Sequence, residues 1–466
     1  QNAGAVAVIM MNNASGVPVA MGGTDATITI PSVMISQADG NILETALGSG
    51  TINGTLSPST AGVVTGNIVP GIQFINDLVV RNNGGNSEIY VANGDSYSNG
   101  AYMGSPTYGV YKSVDGGATW TLLNLPLTVA GNRHCPNDIE IGADNKIWVS
   151  TTESTAFGDG GGKIFSSVDG GATFTDKFTV TGNGGGARVE IEASNTIADK
   201  LYVLAQLNQA TTTAAVEVKI IKTTDGFITS TETAMPVGNE TRETTYGFTG
   251  GQAFYDLMIE SDPSNDQIVY VGGIDLYRSA NGGNSWTVIS DWTANVHSDQ
   301  HAMAFKPNNS NIGIFGNDGG VYYSVSLSST GIAATSRNNG FNVTQFYTVG
   351  VAPTGSTGGN LVGDYFAAGA QDNGTQYFPG VGTGVNSSSE SQGGDGAFTM
   401  FDQGSDKYYI SNYVYNQSIN RRTTAGNIKS INSESTSNGA FICPMALDSN
   451  LDILYSDYNQ QTLQLG

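Results

Sequence analysis

Val296-His-Ser-Asp-Gln-His-Ala concentrates more ligating side chains than any other stretch of the chain. On an extended strand His297, Asp299 and His301 project to one side, because strand side chains alternate. Two imidazoles and a carboxylate on one side have the chemistry of a divalent-metal site, with a cation such as calcium as the cofactor. The same pattern also serves as a hydrogen-bonded cluster at a channel mouth. These are two of only three histidines; the third, His134, precedes the first strand of another unit.

Three further acidic stretches fall on the same face as this one, because in a propeller the loop into the first strand and the loop between second and third strands open on one face. Gly316-Asn-Asp-Gly-Gly contributes Asn317 and Asp318, Gln371-Asp-Asn-Gly contributes Gln371, Asp372 and Asn373, and Gly393-Gly-Asp-Gly contributes Asp395. Each alone is ordinary hairpin chemistry, since Asn-Gly and Asp-Gly supply the left-handed residues of tight turns. Aligning the units on Asp262 and Asp402, and on Pro263 and Pro307, puts Asp299 and Asp395 at the phase of Tyr255. Four acids from three successive units then converge on one mouth, as a ligand-binding set or as the Asp299, Asp318, Asp372 and Asp395 carboxylates of a glycoside hydrolase.

The elements that position these residues repeat. Ser113 to Trp120, Ser167 to Phe174 and Ser279 to Trp286 share one turn, Ser-x-(Asp/Asn)-Gly-Gly-x-(Thr/Ser)-aromatic, and a worn copy lies at Thr223 to Phe227. The anchors Asp115, Asp169, Asp225 and Asn281 recur at intervals of about 55 residues, a period that marks radial or linear repetition. Around each turn stand four short apolar runs split by Gly, Asn and Asp, such as Asn137-Asp-Ile-Glu-Ile, Lys146-Ile-Trp-Val and Lys163-Ile-Phe-Ser-Ser. Four antiparallel strands per unit make a propeller blade. The fold class is therefore all-β, a β-propeller of four-stranded blades, seven to eight in this segment, with a small N-terminal α/β fragment. Later units lose the turn but keep the strands, beginning near Ser298, Phe346, Gly394 and Phe441, and the last is incomplete.

Composition narrows the function classes. Lys and Arg number 18 against 40 Asp and Glu, a net charge of −22. Nucleic-acid binding needs cations to neutralise phosphates, so this balance argues against it and suits cation retention. No apolar run is long enough to span a membrane as a helix. Cys135 and Cys443 lie far apart, and the sequence leaves their pairing open.

Residues 1–60 fall outside the period. Ala5-Val-Ala-Val-Ile-Met-Met and Ile28 to Ile35 read as strands, and Ser36 as the cap of a helix ended by Gly48. With Met21-Gly-Gly-Thr-Asp and Ile30-Pro-Ser-Val-Met-Ile-Ser-Gln-Ala-Asp-Gly, this stretch resembles the C-terminal half of a protease-associated domain. Residues 61–71 read as a linker and 72–466 as the propeller. The Asp-Gly-Gly turns resemble the Asp-box repeats of bacterial neuraminidases, sortilin-type receptors and two-propeller xyloglucanases. The run from Phe254 through Gln371-Asp-Asn-Gly is similar to secreted bacterial propellers of that kind, which implies an extracellular or cell-surface location in a longer secreted protein. Eight scattered arginines form no three-arginine clamp of the sialidase kind, and neither His-Glu-x-x-His nor Gly-x-Ser-x-Gly occurs.

Three functions follow. One is a secreted binding or adhesion propeller whose acidic pocket takes glycan, peptide or metal ion; its partners are a glycan or surface protein, with homo-assembly allowed. The second is a glycoside hydrolase with paired Asp carboxylates. The third is a non-catalytic part of a secreted metallopeptidase or surface filament. Tyr347, Phe366, Tyr377 and Phe378 are aromatics that either stack on sugar rings or pack between blades.

Overall fold

In the computed structural model the described residues are 8–11, 32–35, 37, 41, 74–98, 101–103, 108–182, 184–208, 217–238, 243, 246–293, 296–340, 343–353, 364–382, 387–404, 408–424, 426, 428–431 and 439–456. The chain divides into two units, Gln1–Pro70 and Gly71–Gly466. In the first, Val8–Met11 pairs in parallel with Ser32–Ile35. Of the expected helix, only Gln37 and Asn41 are among the described residues, and both are helical.

The second unit contains seven four-stranded antiparallel sheets, each with its strands in chain order. Their first strands are Ile75–Asn83, Cys135–Ile141, Gly186–Ala193, Met258–Asp262, Gln300–Lys306, Thr348–Val351 and Gly396–Phe401. A two-stranded sheet, Met445–Asp448 with Ile453–Ser456, follows as the incomplete last unit. This is the all-β propeller architecture expected from the repeat.

The repeated turn explains why each third strand reverses where it does. Asp115 accepts from the Thr119 backbone N–H at 2.9 Å and from its hydroxyl at 2.6 Å, while Ser113 Oγ accepts from Gly117 N–H at 2.9 Å. Asp169 and Asp225 repeat the pattern with Thr173 and Thr229, and Asn281 with Ser285. The two Gly positions take φ of 73° and 89° at Gly116 and Gly117, a region L side chains avoid. In the worn copy Phe227 occupies that region at 68°, held by stacking on Phe178, with ring centroids 4.7 Å apart.

Apolar residues alternate on the strands and fill the spaces between successive sheets. Tyr90, Ile139 and Phe165 join sheets one and two; Trp148, Val189 and Val203 join two and three; Leu204, Ile259 and Tyr277 join three and four; Tyr270, Met303 and Phe315 join four and five. Ala367, Tyr377 and Tyr409 join six and seven, and Ile410, Ile419 and Met445 join seven to the last pair. Tyr377 is thereby a core residue, stacked on Tyr409 with centroids 5.1 Å apart. Among the described residues no such cluster lies between sheets five and six. Ile314 on sheet five and Val349 and Val351 on sheet six are exposed there. The acidic stretches meet across this junction, where His297 and Asn373 bond the Asp372 and Asp318 carbonyls.

Acids near the start of the first strands staple neighbouring sheets. Asp77 accepts from Ile139 N–H at 3.1 Å and Asp138 from Ile191 N–H at 2.6 Å. Cys135 and Cys443 are both buried, and Cys443 Sγ donates to the Ala440 carbonyl at 3.0 Å.

Candidate functional site: an acidic mouth at the junction of sheets five and six

Two kinds of loop meet at this mouth: those leading into a first strand and those joining second to third strands. Gln300 N–H donates to Gly273 O at 2.8 Å, and Gly396 N–H to Ala370 O at 2.9 Å. Each hairpin is thus tied to the lead-in loop of the next sheet. A Cβ on Gly396 would stand 2.3 Å from Gly374 O, so only glycine allows that approach.

Asp299 lies immediately before its strand, which begins at Gln300. Its φ of 64° is left-handed, a conformation Asp tolerates better than most residues. The alternation expected of His297, Asp299 and His301 therefore does not apply, because only His301 is on the strand. His297 turns away: its Nε2 is 3.0 Å from the carbonyl of Asp372 and its Nδ1 3.3 Å from that of Ser298. A Cβ on Gly319 would lie 2.4 Å from the His297 Cβ, so the glycine of the sheet-five hairpin makes room for this imidazole. His301 instead pairs through Nε2 with Asp318 Oδ1 at 2.6 Å.

The acids do converge. One carboxylate oxygen from each of Asp299, Asp318 and Asp372 lies within 4.8 Å of the others. Asp318, on the sheet-five hairpin, also receives the Tyr255 hydroxyl, 2.9 and 3.0 Å from its two oxygens. Asp372, left-handed at φ 55° on the sheet-six hairpin, donates its N–H to Asp395 Oδ1 at 3.1 Å. Asn373 donates from Nδ2 to the Asp318 carbonyl at 2.7 Å, bridging the two hairpins. Gln371 accepts the hydroxyl of Tyr347. Asn317 braces its own turn, accepting from Gly319 N–H at 3.1 Å and donating to Gln300 at 3.4 Å.

Crowding of like charge sets the protonation. Burial, with hydrogen bonding to Asp318 and the charges of Asp318, Asp395 and Asp299, pushes the Asp372 carboxyl up to about 9. Burial also acts on Asp318, but hydrogen bonds with His301, Asp372 and Tyr255 outweigh it and hold this carboxylate below its ordinary range. Asp299 is raised by burial and by the charge of Asp318. The two neighbours are thus pushed apart, Asp372 toward the neutral acid and Asp318 toward the carboxylate.

Sequence reasoning missed three contributors on the lead-in loop of sheet four. Tyr255 served there only to align units, yet its hydroxyl touches Asp318. Gln252 donates to Asp299 at 3.2 Å and to Asp256 at 3.3 Å. Asp256 is fully buried in hydrogen-bond contact with Asp299, and burial with that neighbour's charge pushes its carboxyl well up. The available signal was the Tyr-Asp pair standing at the phase of Asp299 and Asp395. His134 takes no part: its Nδ1 lies 2.8 Å from the Gly160 carbonyl, in sheet two.

Among known proteins, a protease-associated domain family model matches residues 1–43. No curated protein matches the sequence. The fold is similar to that of the Niastella koreensis GH74 enzyme, at 15% identity and a TM-score of 0.46 over 82% of this chain and 62% of that one. It is similar to the Xanthomonas campestris GH74 xyloglucanase at 13% identity and a TM-score of 0.47, over 78% of this chain and 53% of that one. It is also similar to YCF48 from Cyanidioschyzon merolae, at 12% identity and a TM-score of 0.31, over 70% of this chain and 91% of that one. The chain thus matches under two thirds of the length of either GH74 structure.

Proposed function

We propose that this chain is a binding propeller of a secreted or cell-surface protein, and that its acidic mouth takes a polyhydroxylated ligand of the glycan class. The observation that carries the reading is the meeting of Asp299, Asp318, Asp372 and Asp395 at one junction. Carboxylates accept from sugar hydroxyls, and the rings of Tyr255 and Tyr347 at the same mouth offer amphipathic faces. A glycan array with the wild type and Asp299→Ala tests this; equal signal from both removes the mouth as the binding site.

A second reading, glycoside hydrolysis, draws on the split protonation of Asp318 and Asp372, since an acid and a base with separated pKa values are what that reaction uses. Their spacing opposes it. A retaining pair stands about 5–5.5 Å apart and an inverting pair about 6.5–9.5 Å, whereas an oxygen of each of these two lies within 4.8 Å of the other, closer than either spacing. Release of reducing ends from a polysaccharide panel, lost in Asp318→Asn, would favour hydrolysis over binding. The protease-associated match at residues 1–43 supports a place as a non-catalytic part of a larger secreted protein.

A further inference from the structure

We infer that Tyr347, Tyr415 and Phe441 form an aromatic corner on the mouth face that seats one pyranose ring of a neutral glycan. It rests on the reading of this face as a glycan site, and it narrows the ligand to uncharged sugars.

The corner begins with a strained backbone. The hairpin joining Tyr408–Tyr413 to Asn420–Thr423 in sheet seven holds Tyr415, Asn416 and Ser418 at φ of 57°, 63° and 47°. Asn visits this region readily, but a bulky side chain there is an outlier, and such outliers gather at ligand clamps. The surrounding bonds impose it. Tyr413 N–H donates to Gln417 O at 2.9 Å, and Tyr415 N–H to Phe441 O at 3.0 Å. Asn416, 1% exposed, accepts the Ser456 hydroxyl at 2.7 Å. The hairpin is thereby fixed to the lead-in loop and the second strand of the last pair, and it carries Tyr415 on the mouth face.

Three rings meet there from three elements. Phe441, on the lead-in loop of the last pair, stands edge-to-face with Tyr415, centroids 5.2 Å apart and planes at 80°. Tyr347, from the lead-in loop of sheet six, meets the same Phe441 at 6.4 Å and 83°. Core packing does not account for them. All three are half-buried, and none belongs to the apolar cluster between sheets six and seven or to that between sheet seven and the last pair. Tyr377 and Tyr409, by contrast, stack inside the first of those clusters.

Rings this exposed and crossed at near right angles offer both a face and an edge. A pyranose carries C–H bonds on its flat side and hydroxyls around its rim, so it stacks on a ring and hydrogen-bonds beside it. Polar partners stand beside these rings. Gln371 accepts the Tyr347 hydroxyl, and Asp395 is hydrogen-bonded by Tyr413 and by Asp372 N–H. Charge then selects the sugar. With Asp395 and the Asp318 carboxylate on this face, and a chain charge of −22, a carboxylated or sulfated sugar is repelled and a neutral one is not.

The test is an array of neutral gluco-, manno- and galacto-oligosaccharides printed beside oligogalacturonates and sialylated glycans, read with wild type, Asp299→Ala, Tyr415→Gly and Phe441→Leu. Neutral spots should bind the wild type about tenfold or more above the acidic ones. Tyr415→Gly removes the ring and gives the left-handed position the residue that tolerates it. Its binding should fall about tenfold while its melting temperature stays level or rises. Phe441→Leu keeps apolar bulk without an aromatic face and should lose binding by a similar factor at an unchanged melting temperature; where the glycine variant does not fold, it decides alone. Signal kept in either variant, acidic spots brighter than neutral ones, or a binding loss that comes with a lower melting temperature in both variants overturns the corner. Signal lost in Asp299→Ala but kept in the two ring variants leaves the glycan reading and removes the corner. Signal lost in the ring variants but kept in Asp299→Ala leaves the corner and removes the acids as the binding site. A wild type dark on every spot removes both.

Discussion

The hydroxyl of Tyr255 stands 2.9 and 3.0 Å from the two carboxylate oxygens of Asp318, joining the lead-in loop of sheet four to the hairpin of sheet five. A hydrogen bond to a charged acceptor contributes about 1.5–3 kcal/mol, more than a neutral one. Tyr255 also meets the His301 ring edge-on, with centroids 4.7 Å apart. Both partners of Asp318 are therefore locked together, and the carboxylate has one orientation. Tyr255→Phe keeps the ring contact and removes only the hydroxyl. The expected loss in urea unfolding is about 1.5–3 kcal/mol, and it should shrink to near zero when measured in an Asp318→Asn background. A loss equal in both backgrounds would mean that the hydroxyl acts elsewhere.

Lys200 and Asp266 make a buried ion pair at 2.6 Å between sheets three and four, with side chains 2% and 6% exposed. Ser194 Oγ donates to Asp266 as well, and Tyr202 donates to its carbonyl at 2.7 Å. Removing one member strands the other in a medium that solvates charge poorly. Lys200→Ala should therefore destabilise by about 3–5 kcal/mol, while joint replacement of both residues by apolar ones of similar volume should be close to neutral. Thermal denaturation of the single and double variants compares the two.

Glu88 is held by four donors. Burial alone would raise its pKa, but hydrogen bonds from Lys112, Tyr90, Asn83 and Arg81 outweigh that and bring it down to about 2. A carboxyl depressed in the folded state stabilises above its unfolded pKa and loses that contribution as pH falls through the folded value. Between about pH 4.5 and pH 2 the wild type should thus lose more stability than Glu88→Gln, and the two curves should converge at the acid end. Parallel curves across that window would show that the network carries no linkage.

Much of this was legible in the sequence for a physical reason. Asp115, Asp169, Asp225 and Asn281 satisfy their turns with bonds four residues away, so the motif is local and survives as a written pattern. The strands on either side alternate, and their apolar runs mark the sheets. The convergence of Asp299, Asp318, Asp372 and Asp395 followed from the repeat, since lead-in loops and second-to-third-strand hairpins of successive blades open on one face. What phase cannot give is conformation within a loop. Asp299 turns left-handed one residue before its strand, and that single dihedral sends His297 to the Asp372 carbonyl. Nor does a repeat reveal that one junction lacks an apolar cluster, because Val349 and Val351 read like any buried strand until their exposure is seen.

Asp372 carries the final prediction. Its carboxyl, raised by burial and then by Asp318, is protonated in the folded chain up to about pH 9 and ionised in the unfolded chain above the ordinary range. A raised group contributes stability that is fully present below the unfolded pKa and is lost as pH climbs to the folded one. Without divalent cation, wild-type stability should decline from about pH 4 toward pH 9 through this group, and Asp372→Asn, which cannot ionise, should lack that component. At pH 8 in chelator the variant should melt higher, by about 1 °C for each kcal/mol of relief in a unit of this size. Melting curves of wild type and variant at pH 5 and pH 8, both in chelator, contain the whole comparison. A variant that melts below the wild type in chelator at pH 8 would mean that the carboxyl serves the fold as an acceptor, and the charge-crowding account of this mouth would be wrong.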